Sequence, residues 1–231
     1  MNDMNITERH AKESARDYAL RIIKENIVSI NLVPGCSVSE KELASKMGLS
    51  RTPVREALIE LSKTQIVEIF PQKGSSIALI DTELVEEARF LRLVLETAII
   101  ELVCDVATKE DIAKLEENVM LQELYLKNSL SHKLLCLDDE LHKQLFIICK
   151  KERTYDMLER LIIHFDRVRN LSLSTVNVKD KQIVDDHRDI VEAIKKRDKE
   201  MAKKVIKKHL TRYELDIKLI QERYPSYFKN T

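Results

Sequence analysis

The sequence predicts a mainly α-helical chain carrying one small β-hairpin near its N-terminus. Three observations predict it: only three glycines and four prolines in 231 residues, 34% charged side chains against 5% aromatics, and apolar residues at helical spacing along most of the chain. A hydrophobic content of 44% at this length suffices for two modest domains. No apolar run approaches the ~18 residues that span a bilayer, and Met1 to Arg9 lacks the basic-then-apolar order of a signal peptide, so a cytoplasmic location without a membrane partner is expected. Cys36, Cys104, Cys136 and Cys149 are far apart and form no CxxC, which points to reduced packing thiols and away from a zinc knuckle or redox pair. With 39 basic and 39 acidic side chains the net charge is zero, so any nucleic-acid surface must be basic only locally.

The first helix is expected from about Glu8 to Ile30, on the spacing of Ala15, Ala19, Ile22, Ile23, Ile27 and Ile30. After Pro34-Gly35, Ser39 and Glu42 form a capping-box pattern at the start of a second, short helix, with Val38 available to staple against Leu43. Gly48 ends that helix, because glycine adopts the left-handed C-terminal conformation without strain. Ser50, Thr52 and Pro53 start a third helix whose inner face is Ala57, Leu58 and Leu61. Ile66–Ile69 and Ser76–Leu79 are expected as two strands around Pro71-Gln72-Lys73-Gly74. Three helices and a hairpin make a winged helix-turn-helix over residues 1–80. From Asp81 to residue 231 the chain has no glycine and reads as an all-α antiparallel bundle of about six helices, breaking near Thr108, Ser131, Lys151, Val178 and Arg197.

Two groups of residues carry chemistry. In Ser50-Arg51-Thr52-Pro53-Val54-Arg55, the two arginines lie one turn apart, where guanidinium forks can pair with guanine O6 and N7 or with phosphate. Thr52 can reach a phosphate or a thymine methyl, and Lys41 and the wing-tip pair Lys73-Gly74 can add backbone contacts. Taken alone, an RxxxR is a solvated charge pair; the surrounding cap, glycine turn and hairpin favour a DNA-reading helix.

The second group lies in the bundle. Leu134, Asp138, His142, Leu145 and Cys149 share one helical face, so a carboxylate and an imidazole point into an apolar core, where an unpaired charge is costly. His187 sits on a stripe with Ile183, Ile190, Val191 and Ile194, and His209 lies between Val205 and Tyr213. One carboxylate and three imidazoles suit a divalent ion such as zinc, nickel or manganese. His164, flanked by Leu161, Val168 and Leu171, has the same inward spacing, so periodicity alone does not choose the ligands, and each histidine taken singly reads as a hydrogen-bonded core residue.

The run Pro34-Gly35, Glu42-Leu43-Ala44, Gly48 through Leu58 and Lys73-Gly74 resembles the N-terminal domain of the GntR family. That resemblance implies DNA contacts from Lys41, Arg51, Thr52, Arg55 and the wing at Gly74. Thr64-Gln65 departs from the acidic residue and glycine usual there. From about Asp81 to Tyr224 the chain resembles the FCD ligand-binding domain of the FadR branch, in its VanR-like subgroup, through Leu91 to Glu96, Asp138-x3-His142, His187-x2-Ile190-x2-Ala193-Ile194 and His209-Leu210. The resemblance implies Asp138, His142, His187 and His209 as metal ligands. Leu141 stands where a phenylalanine is usual, and Lys150-Lys151-Glu152 replaces an asparagine-containing turn. Arg92 is a candidate partner for an effector carboxylate or, equally, for Glu96 one turn away.

Together these residues lead to an expected non-enzyme: a homodimeric regulator, a repressor by family association, that binds a palindromic operator and responds to a small carboxylate at the metal. A helical-bundle metalloenzyme using the same ligands, and a regulator that senses the ion directly, are the alternatives.

Overall fold

A computed structural model describes residues 4–128, 131–173, 180–212 and 217–229 of the chain. The elements run α1 (Ala15–Val28), β1 (Ser37–Val38), α2 (Glu40–Met47), α3 (Arg51–Lys63), β2 (Val67–Phe70), β3 (Gly74–Ile77), α4 (Thr82–Val106), α5 (Lys109–Lys127), α6 (Ser131–Ile148), α7 (Glu152–Leu173), α8 (Asp180–Lys195), α9 (Lys199–Thr211) and α10 (Ile217–Arg223). They form two compact units that do not follow a single cut in the sequence. One comprises Met1–Val85, Ile163–Leu171 and Lys218–Thr231, and the other Glu86–Ile162 and Ser172–Ile217.

In the first unit, α1 starts at Ser14, whose hydroxyl accepts from the Asp17 amide, several residues after the start that apolar spacing suggests. Its fully buried Ile22, Ile23 and Ile27 pack in one core with Val54, Ala57, Leu58 and Leu61 of α3, with Leu43 of α2 and with Ile163 of α7. Each such burial is worth about 1.5–3 kcal/mol, enough to fix which face of α3 turns outward. Gly48 ends α2 at φ 66°, as the sequence predicts, whereas the Ser39 and Ser50 hydroxyls make no capping hydrogen bond. The sheet is antiparallel in the order β1-β3-β2, with Val67 opposite Ile77 and Phe70 opposite Gly74. The hairpin is tighter than the spacing suggests, and β1, two residues long, is too short to show alternation.

The distant segments join this unit through polar groups aimed at its carbonyls. His164 Nε2 donates to the Thr64 carbonyl at the end of α3 (2.8 Å), and among the described residues Nδ1 makes no hydrogen bond. His164 therefore belongs to this unit and not with the other inward histidines. Arg167, fully buried, donates Nη2 to the Ala78 carbonyl (2.6 Å), and burial pulls its pKa down to about 10. Near the C-terminus, the Ile80 amide donates to the Tyr227 carbonyl (2.8 Å), and the Lys229 amide donates to the Ile80 carbonyl (2.9 Å).

The second unit is helical throughout its described residues, with a core that includes Ile100, Val103, Leu115, Leu141, Leu145, Phe146, Ile190, Ile194, Ala202 and Ile206. A reciprocal capping box of Thr108 and Asp111 starts α5, and Asp198 caps α9. The breaks expected near Thr108, Ser131, Lys151 and Arg197 separate α4 to α9; the break near Val178, like Tyr213, lies outside the described residues. The short α10 follows as an addition to the expected six.

Both departures from the family's usual turns fall on left-handed backbone: Gln65 has φ 58° and Lys150 φ 55°. A residue with a Cβ is strained there by about 1–2 kcal/mol, which glycine avoids and asparagine tolerates. Gln65→Gly is thus expected to stabilise the protein by about 0.5–1 kcal/mol, raising Tm by about 1–4 °C in thermal melts, since relief of strain exceeds the extra chain entropy. An unchanged or lower Tm would refute strain at Gln65.

A second expectation concerns His164, whose pKa burial lowers below the ordinary 6.5. The unfolded chain then takes up the proton first, so the stability this residue contributes is present above about pH 6.5 and is lost as pH falls below it, by up to about 1.4 kcal/mol per pH unit. His164→Gln keeps a donor for Thr64 and should flatten the acid limb of a denaturation-against-pH profile. Identical limbs for the two proteins would contradict the burial of a neutral imidazole.

Candidate nucleic-acid interface and metal centre

The outer face of α3 follows from its inner one. With Val54, Ala57, Leu58 and Leu61 buried, Arg51 and Arg55 must project outward, and their side chains are 69% and 71% exposed. Thr52 is exposed in the same first turn. Across from them, the wing turns at Gln72, φ 64°, and Lys73, whose amide donates to the Phe70 carbonyl (3.1 Å). Gly74 opens β3 at φ 98°, a conformation that glycine alone adopts freely. Lys41, Arg51, Arg55, Lys73 and Gly74 line one groove of about 690 Å³, floored in part by Leu58. Glu40, at the start of α2, accepts from Arg51 Nη2 at 3.0 Å and lies 4.0 Å from Arg55 Nε.

The second cluster is wholly buried. Asp138 and His142 come from α6, His187 from α8 and His209 from α9, each at most 3% exposed. His142 Nε2 lies 3.0 Å from His209 Nε2, His187 Nε2 lies 3.3 Å from His209 Nε2, and Asp138 Oδ1 is 3.2 Å from His187 Nε2. One donor atom from each residue falls within 4.8 Å of all the others.

Surrounding groups decide which nitrogen carries the proton in two of the three rings. His142 Nδ1 donates to the Glu96 carboxylate in a very short contact, and His187 Nδ1 donates to Gln122 Oε1 at 2.7 Å. Gln122 in turn donates to Asn118 Oδ1 (2.7 Å), and Asn118 donates to the Leu137 carbonyl (3.1 Å). Both Nε2 atoms are thereby left with lone pairs facing the cluster centre. Among the described residues His209 Nδ1 makes no hydrogen bond; it lies 4.0 Å from Asp186 Oδ2, a carboxylate that also holds Arg212 and Lys208 at 2.9 Å.

Burial lowers the pKa of His187 despite the opposing pull of Asp138, and it lowers that of His209 strongly, with His187 and His142 adding to the effect. Burial pushes the Glu96 carboxyl up, but His142 and Arg92 outweigh it and keep the group ionised. A proton on His209 Nε2 can serve only one of the two facing lone pairs at a time, whereas a cation at the centre would satisfy all three rings together. Two ligands at about 2.1 Å from an ion, 90° to 109° apart, are separated by about 3.0–3.4 Å; three of the separations here match that, Asp138 lies 3.8–3.9 Å from His209 and His142, and the donor set is one that could hold a divalent ion accepting imidazole and carboxylate.

Arg92 donates Nε to Glu96 Oε1 at 2.7 Å and holds Nη2 3.6 Å from Asp138 Oδ2. In the sequence Glu96 stands out as a partner for Arg92 and as the end of the Leu91–Glu96 run, whereas Gln122, Asn118 and Asp186 do not stand out. A signal existed for two of them: Asn118 and Gln122 share the buried stripe of α5 with Leu115 and Val119, the same anomaly that singled out Asp138 and His142.

Residues 17–77 match the family described as bacterial regulatory proteins, gntR family, and residues 87–212 match the FCD domain. The HTH-type transcriptional repressor RspR of Escherichia coli K12 is 28% identical over 222 residues, covering 96% of this chain and 97% of its own. YdhC of Bacillus subtilis, an uncharacterised HTH-type transcriptional regulator, is 30% identical over 190 residues, 81% of this chain and 84% of its own. Among solved structures, E. coli McbR/YncC superposes with a TM-score of 0.79 at 19% identity, covering 91% of this chain and 99% of its own. A GntR regulator from Rhodococcus sp. RHA1 superposes at 0.71 with 20% identity, covering 87% and 96%. The exposed arginine pair and wing lie inside the first matched segment and the Asp-His cluster inside the second, and the chain belongs to the GntR family of DNA-binding transcriptional regulators, with an FCD domain following its winged helix.

Proposed function

We propose that this regulator is a cytoplasmic, homodimeric repressor whose operator affinity is set by a small organic acid recognised at a divalent cation in the FCD domain. The observation that carries the DNA half is the exposure of Arg51 and Arg55 one turn apart beside the wing. Their forks address guanines of a half-site, while Lys41, Thr52, Lys73 and the Gly74 backbone address phosphates. A two-fold dimer places two such helices in successive major grooves of a palindrome. The outer stripe of α4, with Phe90, Val94, Leu102 and Val106 at 42–64% exposure, supports a second copy as the dimer partner. Repression is the sense borne by the name of RspR.

In the ligand half, Asp138, His142, His187 and His209 would hold the ion. When bound, it supplies open coordination positions suited to a carboxylate. The chain's own contribution is orientation: Glu96 and Gln122 fix the imidazoles of His142 and His187, and Arg92 ties Glu96 to the neighbourhood of Asp138. We assign Arg92 to that positioning and not to direct capture of the effector. Coupling between acid and operator is expected at about 1–3 kcal/mol.

Arg51→Ala should weaken binding to a duplex selected from a random pool by the unmutated protein by about 1–3 kcal/mol, and relax base preference at one position per half-site. Fluorescence anisotropy against cognate and scrambled duplexes measures both effects, and equal binding of the two by the unmutated chain would end the DNA assignment. Replacing His187 and His209 together by alanine should abolish stoichiometric metal by elemental analysis. Full occupancy in that double variant would show that the ion is held elsewhere.

A further inference from the structure

Two acids line the DNA groove among its cations, Glu40 and Glu42, and of the two it is Glu40 that meets the arginines. Glu40 is the first residue of α2, and its carboxylate sits between the two arginines, accepting from Arg51 Nη2 at 3.0 Å with Oε1 4.0 Å from Arg55 Nε. Its side chain is 28% exposed, whereas the arginines are 69% and 71% exposed, so the acid lies deeper in the groove and the forks extend past it.

Stability does not account for this arrangement. Ion pairs this exposed are worth at most about 1 kcal/mol. The favourable effect of a negative charge at a helix N-terminus is also available from Glu42, which is exposed in the same turn and makes no ion pair among the described residues. In a groove that meets a polyanion, a carboxylate also carries a cost, because phosphates approaching Arg51 or Arg55 approach Glu40 too. That cost falls on backbone contacts, which are the same for every sequence, and spares base edges, which are neutral.

We propose that Glu40 is a specificity-determining residue that acts by positioning Arg51. The carboxylate holds one edge of the Arg51 guanidinium, so the fork reaches the bases with less conformational freedom to lose, and it discourages both arginines from settling on phosphate. Discrimination between sequences then comes from a penalty on unspecific docking as well as from contacts to the correct bases. This inference rests on the assignment of α3 to DNA reading.

The test uses the full-length protein, a cognate duplex selected from a random pool by the unmutated chain, and a scrambled duplex of equal length. E40Q should bind the scrambled duplex more tightly and lower the cognate-to-scrambled affinity ratio by about 10-fold, within the range that one guanine contact supplies. Its log K against log salt plot should steepen by about 0.9, as expected if Arg51 gains a phosphate. E42Q, with the same charge change in the same turn, should leave the ratio within about twofold. An unaltered ratio in E40Q, or an equal fall in E42Q, would overturn the assignment of Glu40 while leaving α3 as the DNA reader. Equal binding of both duplexes by the unmutated chain would remove both.

Discussion

A polar group inside a helical core must be answered by a partner, and most of what distinguishes this chain from a generic bundle follows from that constraint. Transfer of a hydroxyl or amide from water without a hydrogen bond costs a few kcal/mol, and transfer of a charge costs far more. The second unit nevertheless buries Asp138, three histidines, Glu96 and Arg92 close together, in a core otherwise lined by Leu141, Leu145 and Ile190. The answers are layered. Glu96 and Gln122 satisfy the outer nitrogens of two rings, Asn118 holds Gln122, and the inner nitrogens are left converging on a point that could hold a metal ion.

The same constraint organises the first unit with simpler means. His164 and Arg167 reach across a long stretch of sequence to single carbonyls, Thr64 and Ala78, which end the reading helix and follow the wing. A buried guanidinium with one hydrogen bond is an expensive fastening, consistent with the lowering of its pKa by desolvation. These groups fix the ends of the elements that meet DNA, whereas apolar packing against α1 fixes their faces.

On the DNA side the rule is inverted. Arg51 and Arg55 are useful because they are not captured by the core, and the strength of any contact they make depends on what they lose in making it. Glu40, paired with the arginines, is placed to alter both what they lose on docking and which part of the duplex they meet.

The sequence by itself determined the helical character of the chain, the winged helix, the arginine pair, and a set of inward polar residues that periodicity alone did not narrow. The signals are local: a glycine stop at Gly48, an i,i+4 arginine pair, and polar residues on apolar stripes at Asp138, His142, His187 and His209. It did not separate His164 from the other inward histidines, because burial on a stripe says nothing about which core the stripe faces. The bond between Arg92 and Glu96, the Gln122–Asn118 relay, the return of residues 163–171 and 218–229 to the first unit, and the seat of Glu40 were decided only by the tertiary structure. The reason is physical: helical periodicity encodes which side chains leave water, but the partner each one meets there depends on chain segments tens of residues away, brought together by packing that no local pattern records.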